Sequence, residues 1–128
     1  MKYSTINSPG DAVIKAASLV CDRHKEHFIG LYLNSRLKCV KSELVSLGTL
    51  TAALVHPRET FRPALMHHAD SIIVLHNHPS GNLEPSAEDI AMNQRLREAG
   101  KILGIELNDN IIFVTKTKFY SFREEGIL

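Results

Sequence analysis

Apolar positions early in the chain recur at helical spacing, then crowd into short runs. Val13, Ala16, Ala17, Val20 and Cys21 fall on one helical stripe. Ser8-Pro9-Gly10-Asp11 gives that helix its start: Ser8 as N-cap, Pro9 at the first position, Asp11 completing a capping-box-like turn. The helix is predicted to end near 22–25, so 1–25 forms an N-terminal helix ahead of the core. Residues 28–33 read as a buried strand, 34–36 as a turn and 37–47 as a second strand, which makes 28–47 a hairpin broken at Gly48. Pro57 opens another helix, with Phe61, Ala64 and Leu65 expected to face inward. The continuous apolar run 71–75 is the pattern of a central strand covered on both faces. After a Pro- and Gly-containing loop over 79–85, Ser86 caps a long helix whose apolar positions include Ile90, Leu96, Ala99 and Leu103, and Gly104 ends it. Segments 105–107 and 111–115 are strand-like, and 119–122 adds an edge. Strands alternating with helices after a leading hairpin predict an α/β domain with a mixed β-sheet flanked by helices.

Composition narrows the class. The 128 residues are the length of one domain, with 44% hydrophobic and 23% charged residues, as in an ordinary globule. Fifteen Lys+Arg against fourteen Asp+Glu give +1, which lends little support to a nucleic-acid partner, whose footprint would be cationic. No apolar run approaches a membrane span, and two cysteines provide neither a disulfide framework nor a Cys-based zinc site. A reduced, cytoplasmic protein without a membrane partner is expected. Seven histidines beside no tryptophan direct attention to metal ligation.

The chemistry concentrates in His76-Asn77-His78-Pro79-Ser80-Gly81-Asn82-Leu83-Glu84-Pro85-Ser86-Ala87-Glu88-Asp89. If the strand persists to His78, residues 76 and 78 project from the same face, because strand side chains repeat every two residues. Asp89 lies in the first turn of the next helix, which the loop can fold back beside the strand end. Two His and one carboxylate leave a fourth position for water, the arrangement of a catalytic zinc site. A plainer account is also open: Ser86 and Asp89 alone make a capping box of the kind found without any metal.

The H-x-H-x7-S-x2-D pattern with an upstream Glu resembles the signature of the JAMM (MPN+) metalloprotease family. Gly48-Thr49-Leu50, His56-Pro57-Arg58-Glu59, the His76–Gly81 stretch and Pro85-Ser86 are similar to its RadC branch, over about residues 26–128. The resemblance implies a cytidine-deaminase-like α/β fold and a single zinc held by His76, His78 and Asp89. It further implies Ser86 as an oxyanion or water partner, Glu43 as general base, and a peptide or protein substrate cleaved by zinc-activated water. RadC proteins usually carry a helix-hairpin-helix segment, for which this sequence leaves no room, so a single domain over 1–128 is expected. RadC sequences also commonly have Asp-His where this chain reads Asp109-Asn110, and Asn110 can hydrogen-bond but not titrate.

Spacing by itself does not select Glu43 from Glu26, Glu59, Glu84 and Glu88, and Glu84, inside the loop, is its rival. Strict alternation puts Cys39, Lys41, Glu43, Val45 and Leu47 on one face, and neither face is cleanly apolar. His67 and His68 read as surface residues at a helix end, His24 and His27 as solvated flanks of the first strand, and His56 as shaping the turn before Pro57. Arg58 and Glu59 are either a substrate or interface pair or a solvated helix start. Tyr120 reads as edge-strand packing. Beside a peptidase or isopeptidase, two other classes stand: a nucleic-acid-acting repair factor, and a zinc-stabilised binding module without turnover.

Overall fold

Residues 3–48 and 55–128 are described by the computed structural model. Helix α1 (Pro9–Ala17) precedes the hairpin β1 (His27–Leu33) and β2 (Cys39–Leu47). Then come α2 (Pro57–Met66), β3 (Ser71–Asn77), α3 (Ala87–Leu103), β4 (Glu106–Phe113) and β5 (Phe119–Ser121). The strands form one sheet in the order β2-β1-β3-β4-β5. Among the described strands only β3 and β4 run parallel, joined through α3, so the sheet is mixed and the domain α/β, as the sequence pattern predicts.

Both faces of the sheet are covered. Ala12, Val13 and Ala16 of α1 pack with Ile29, Leu31, Leu33, Ile73, Leu75 and Ile111 on one side. Phe61 and Ala64 of α2 and Met92 and Leu96 of α3 pack with Phe28, Tyr32, Ile72 and Val74 on the other. This double covering explains why β1 and β3 are buried along their whole length. Gly30 in β1 has a steric reason: a Cβ there would collide with the Tyr32 ring and hydroxyl, which donates a 2.6 Å hydrogen bond to the Thr60 carbonyl of α2.

Several expectations shift. Helix α1 stops at Ala17, well before 22–25, and Cys21 is exposed beyond it. Leu65 points outward, as do Ile90 and Leu103 of α3, because the buried stripe of α3 runs instead through Asp89, Met92, Asn93, Leu96 and Gly100. The two expected segments 105–107 and 111–115 are joined into one β4 that covers only 106–113, since Asp109 and Asn110 are buried and paired with β3, while 105, 114 and 115 fall outside it. Strand β2 does not alternate strictly. Register shifts opposite Phe28/Ile29 and Tyr32/Leu33 leave Val40 and Val45 as extra residues, which turns them to the α2/α3 side while Cys39 and Leu44 face α1. Gly104 ends α3 in the left-handed conformation, as its position suggests.

Candidate metal centre

His76 and His78 stand at the carboxyl end of β3. The strand ends at Asn77, but the His78 N–H still donates to the Phe113 carbonyl of β4 at 3.1 Å, so the pleat carries one residue further. Both rings therefore project on one side, 5.0 Å apart between centroids. Gly81, at φ +85°, turns the chain directly afterwards, its N–H donating to the His78 carbonyl. The loop brings Ser86 and Asp89 to the start of α3. There the capping box is complete: Ser86 Oγ accepts from the Asp89 N–H at 3.1 Å, and Asp89 Oδ2 accepts from the Ser86 N–H at 2.8 Å.

The capping carboxylate is the same one that meets the imidazoles. Asp89 Oδ1 lies 3.0 Å from His76 Nε2, and Oδ2 lies 3.3 Å from His78 Nε2. The ligand atoms of His76, His78 and Asp89 all fall within 4.8 Å of one another, close enough for one metal ion. Burial alone would raise the Asp89 pKa; hydrogen bonds from both imidazoles, the charge on His76 and the Ser86 N–H outweigh it and hold the carboxyl well below its usual range. The hydrogen bond to Asp89 pushes the His78 pKa up.

The donor chemistry fits a cation. His78 Nδ1 lies 2.6 Å from the Asn82 carbonyl, which can only accept, so Nδ1 carries a proton. In the neutral imidazole, Nε2 then presents a lone pair to a carboxylate that is also an acceptor. A second proton or a metal ion resolves that opposition, and a carbonyl fixing the far nitrogen is the usual support of a metal-bound histidine.

A cavity of about 830 Å³ opens over His78 and Asp89, lined also by Glu26, Glu84 and Ser86. Ser86 is exposed there, and its hydroxyl proton is free because the cap uses the oxygen only as acceptor. Glu84, the rival base, is exposed on the loop. Glu43 lies elsewhere: it pairs with Gly30, on the same sheet face as His76 but two strands over and two residues along, since His76 is level with Phe28. Among the described residues it is not part of the cavity lining, and the side-chain hydrogen bonds of the triad go to other partners. Its charge is felt instead at the buried Tyr32 hydroxyl, whose pKa is raised by burial first and by Glu43 second.

Glu26 is one of the acids that spacing left undistinguished. It sits just before β1, at the cavity wall, near enough for its charge to favour protonated His78. One side chain holds it there. Asn77 Oδ1 accepts from the His27 N–H at 2.6 Å and Nδ2 donates to the Lys25 carbonyl at 2.9 Å, so a single amide grips both peptide groups flanking Glu26. His27 is fully buried rather than solvated, with Nδ1 donating to the Lys25 carbonyl and Nε2 accepting from the Cys21 N–H. The signal available in the sequence was an acid directly preceding a buried strand, but nothing local revealed that this strand start lies beside the end of β3.

His24 is exposed, as expected for a flank of β1, and lines the cavity wall beside Glu26; the remaining histidines lie away from it. His67 and His68 are exposed at the end of α2, and His56 is its N-cap residue without a side-chain cap. Arg58 and Glu59 form an exposed 3.9 Å pair at the solvated start of α2, and Tyr120 packs edge-on against Phe122. Thr49 and Leu50 lie outside the described residues. No helix among the described residues is long and apolar enough to cross a membrane.

Comparison with known proteins identifies the family to which the chain is similar. The family profile of the RadC-like JAB domain matches residues 6–127. A UPF0758 protein of Chlorobium chlorochromatii is 44% identical over 123 residues, covering 96% of this chain and 55% of the relative. One of Shouchella clausii is 47% identical over 121 residues, covering 94% and 52%. One of Methanosarcina mazei is 43% identical over 123 residues, covering 96% and 53%. The chain thus spans about half the length of the curated relatives it matches, and their names state no activity.

Proposed function

Since this chain belongs to the RadC-like JAB domain family, we propose that it is a zinc-dependent hydrolase, a metallopeptidase or isopeptidase acting on a peptide or protein. The observation that carries this reading is the convergence of His76, His78 and Asp89 within 4.8 Å, beside an open cavity of about 830 Å³. Two nitrogens and one carboxylate leave a position open, which distinguishes a catalytic site from a closed structural one. Zinc on these ligands would polarise a carbonyl and bring water toward ionisation at neutral pH.

The chain's own groups supply the rest. Asp89 stays anionic because the cap and both imidazoles stabilise its charge. The Ser86 hydroxyl, with its oxygen committed to the cap, donates its proton into the cavity toward the carbonyl oxygen of a bound substrate. A carboxylate takes a proton from the attacking water and returns it to the leaving amine. Glu26 is the better placed for this than Glu43: it shares the cavity wall with His78 and Asp89, and the Asn77 amide fixes its backbone on both sides.

Metal analysis of purified protein, paired with peptide-library cleavage by the wild type, Glu26→Gln and Glu43→Gln, tests the reading. About one zinc per chain is expected, with cleavage abolished in Glu26→Gln, zinc retained, and Glu43→Gln active. Loss of cleavage in Glu43→Gln alone would return the role to Glu43. Stoichiometric zinc without cleavage of any library would leave a metal-stabilised binding module.

A further inference from the structure

Among the described residues, two buried side-chain polar atoms have no partner: His76 Nδ1 and Asn110 Oδ1. Unpaired buried groups are rare and costly in native proteins, so two in one region call for a common cause. His76 and Asn110 are both fully buried. Strand β3 pairs with β4 so that His76 is level with Ile112 and Val74 with Asn110. Asn110 is therefore the diagonal neighbour of His76 on the same sheet face, and since neither orphan bonds the other directly, the gap between them is one that a single ordered water would bridge. Helix α3 lies over both. Asp89 reaches His76 from its first turn, and Asn93, one turn on, accepts from Asn110 Nδ2 at 3.2 Å.

That last bond sets the chemistry of the pair. With Nδ2 committed to Asn93, the remaining atom of the Asn110 amide is a pure acceptor. On the other strand, His76 directs Nε2 at Asp89, so a His76 that ligates metal through Nε2 in its neutral form must carry its proton on Nδ1. The orphan on β3 becomes a donor at the moment the orphan on β4 offers an acceptor. We propose that Asn110 is a positioning residue for the metal centre: through one bridging water, which accepts from His76 Nδ1–H and donates to Asn110 Oδ1, it fixes the His76 tautomer and ring orientation, as the Asn82 carbonyl does directly for His78. Ligand histidines depend on such partners, whose removal weakens metal binding about 10–100-fold.

This inference rests on the metal reading above and not on turnover, so the experiment measures zinc affinity by chelator competition. The wild type is compared with Asn110→Leu, which keeps the shape and removes the acceptor, and Asn110→Asp, which keeps the acceptor. Metal-free urea unfolding verifies that each variant folds; should Asn110→Leu not fold, Asn110→Ala carries the same expectation. Asn110→Leu is expected to bind zinc about 10–100-fold more weakly, with Asn110→Asp close to wild type. Nitrogen-15 spectra of the zinc-loaded wild type are expected to show a slowly exchanging His76 Nδ1 proton that Asn110→Leu loses. Equal affinity of Asn110→Leu and wild type, or equal loss in Asn110→Leu and Asn110→Asp, would overturn the assignment. A wild type that takes up no zinc would instead overturn the metal reading beneath it.

Discussion

Replacing Asp89 by alanine separates its two duties, capping α3 and closing the metal triad. In the metal-free protein the substitution removes the acceptor for the Ser86 N–H and the anionic partner of two imidazoles. A lost cap costs about 1 kcal/mol, and a hydrogen bond to a charged group about 1.5–3, so a destabilisation of about 1–3 kcal/mol is expected. Its pH dependence has a definite shape. The Asp89 carboxyl is held below its ordinary pKa, so its contribution is present above the ordinary carboxylate value and fades as pH falls through its own lower one. The His78 pKa is raised, so its contribution is present below the ordinary imidazole value and fades as pH rises through the raised one. The gap between wild type and Asp89→Ala is therefore widest between about pH 4 and pH 6.5. Zinc reverses the preference, because it requires neutral imidazoles and binds better as pH rises. At pH 7.5, free zinc about a hundredfold above the wild-type dissociation constant adds about 2.7 kcal/mol to the wild type, and this increment vanishes in Asp89→Ala. Urea unfolding at pH 5.5 and 7.5, with chelator and with zinc, reads all four quantities. If Asp89→Ala gains as much from zinc as the wild type, the reasoning is refuted.

Other consequences follow from single contacts. Asn77→Ala releases both peptide groups flanking Glu26 while leaving the triad's donor atoms intact; zinc affinity is expected to stay within about threefold, with kcat falling and KM little changed. Exchange of the His27 amide, followed by NMR, should accelerate in the same variant, and an unchanged rate would dissolve the clamp. Burial raises the pKa of Asp109, whose oxygens accept from Ser121, Arg123 and Asn110. Its ionisation opposes folding, so the stability it contributes is present below the ordinary carboxylate pKa and lost as pH rises through the elevated value. Asp109→Asn should consequently gain on the wild type in urea unfolding between pH 3 and pH 7; a constant difference across that range would contradict this.

The chain's local chemistry determined much of this protein. Ser8-Pro9 and Ser86 dictate their helix starts, Gly104 dictates a stop, and the apolar run of β3 announces a strand buried on both faces, because caps, φ values and hydrophobic period act within a few residues. The H-x-H pair and Asp89 were legible for the same reason, a pleat of period two followed by a capped helix. Tertiary structure decided which face each residue took and which distant acid lines the cavity beside the triad. Val40 and Val45 escape the alternation of β2 because the bulges depend on pairing with β1. Leu65 and Ile90 are apolar and exposed because none of the described elements packs over them, a circumstance their own helices cannot encode. Sheet order separates the two acids: β1 starts beside the end of β3, which sets Glu26 at the cavity wall with His78 and Asp89, while Glu43 lies on β2 at the sheet edge, two strands from His76. Nothing within a window of sequence holds that information, since it resides in contacts across fifty residues of chain such as the one between His27 and Asn77.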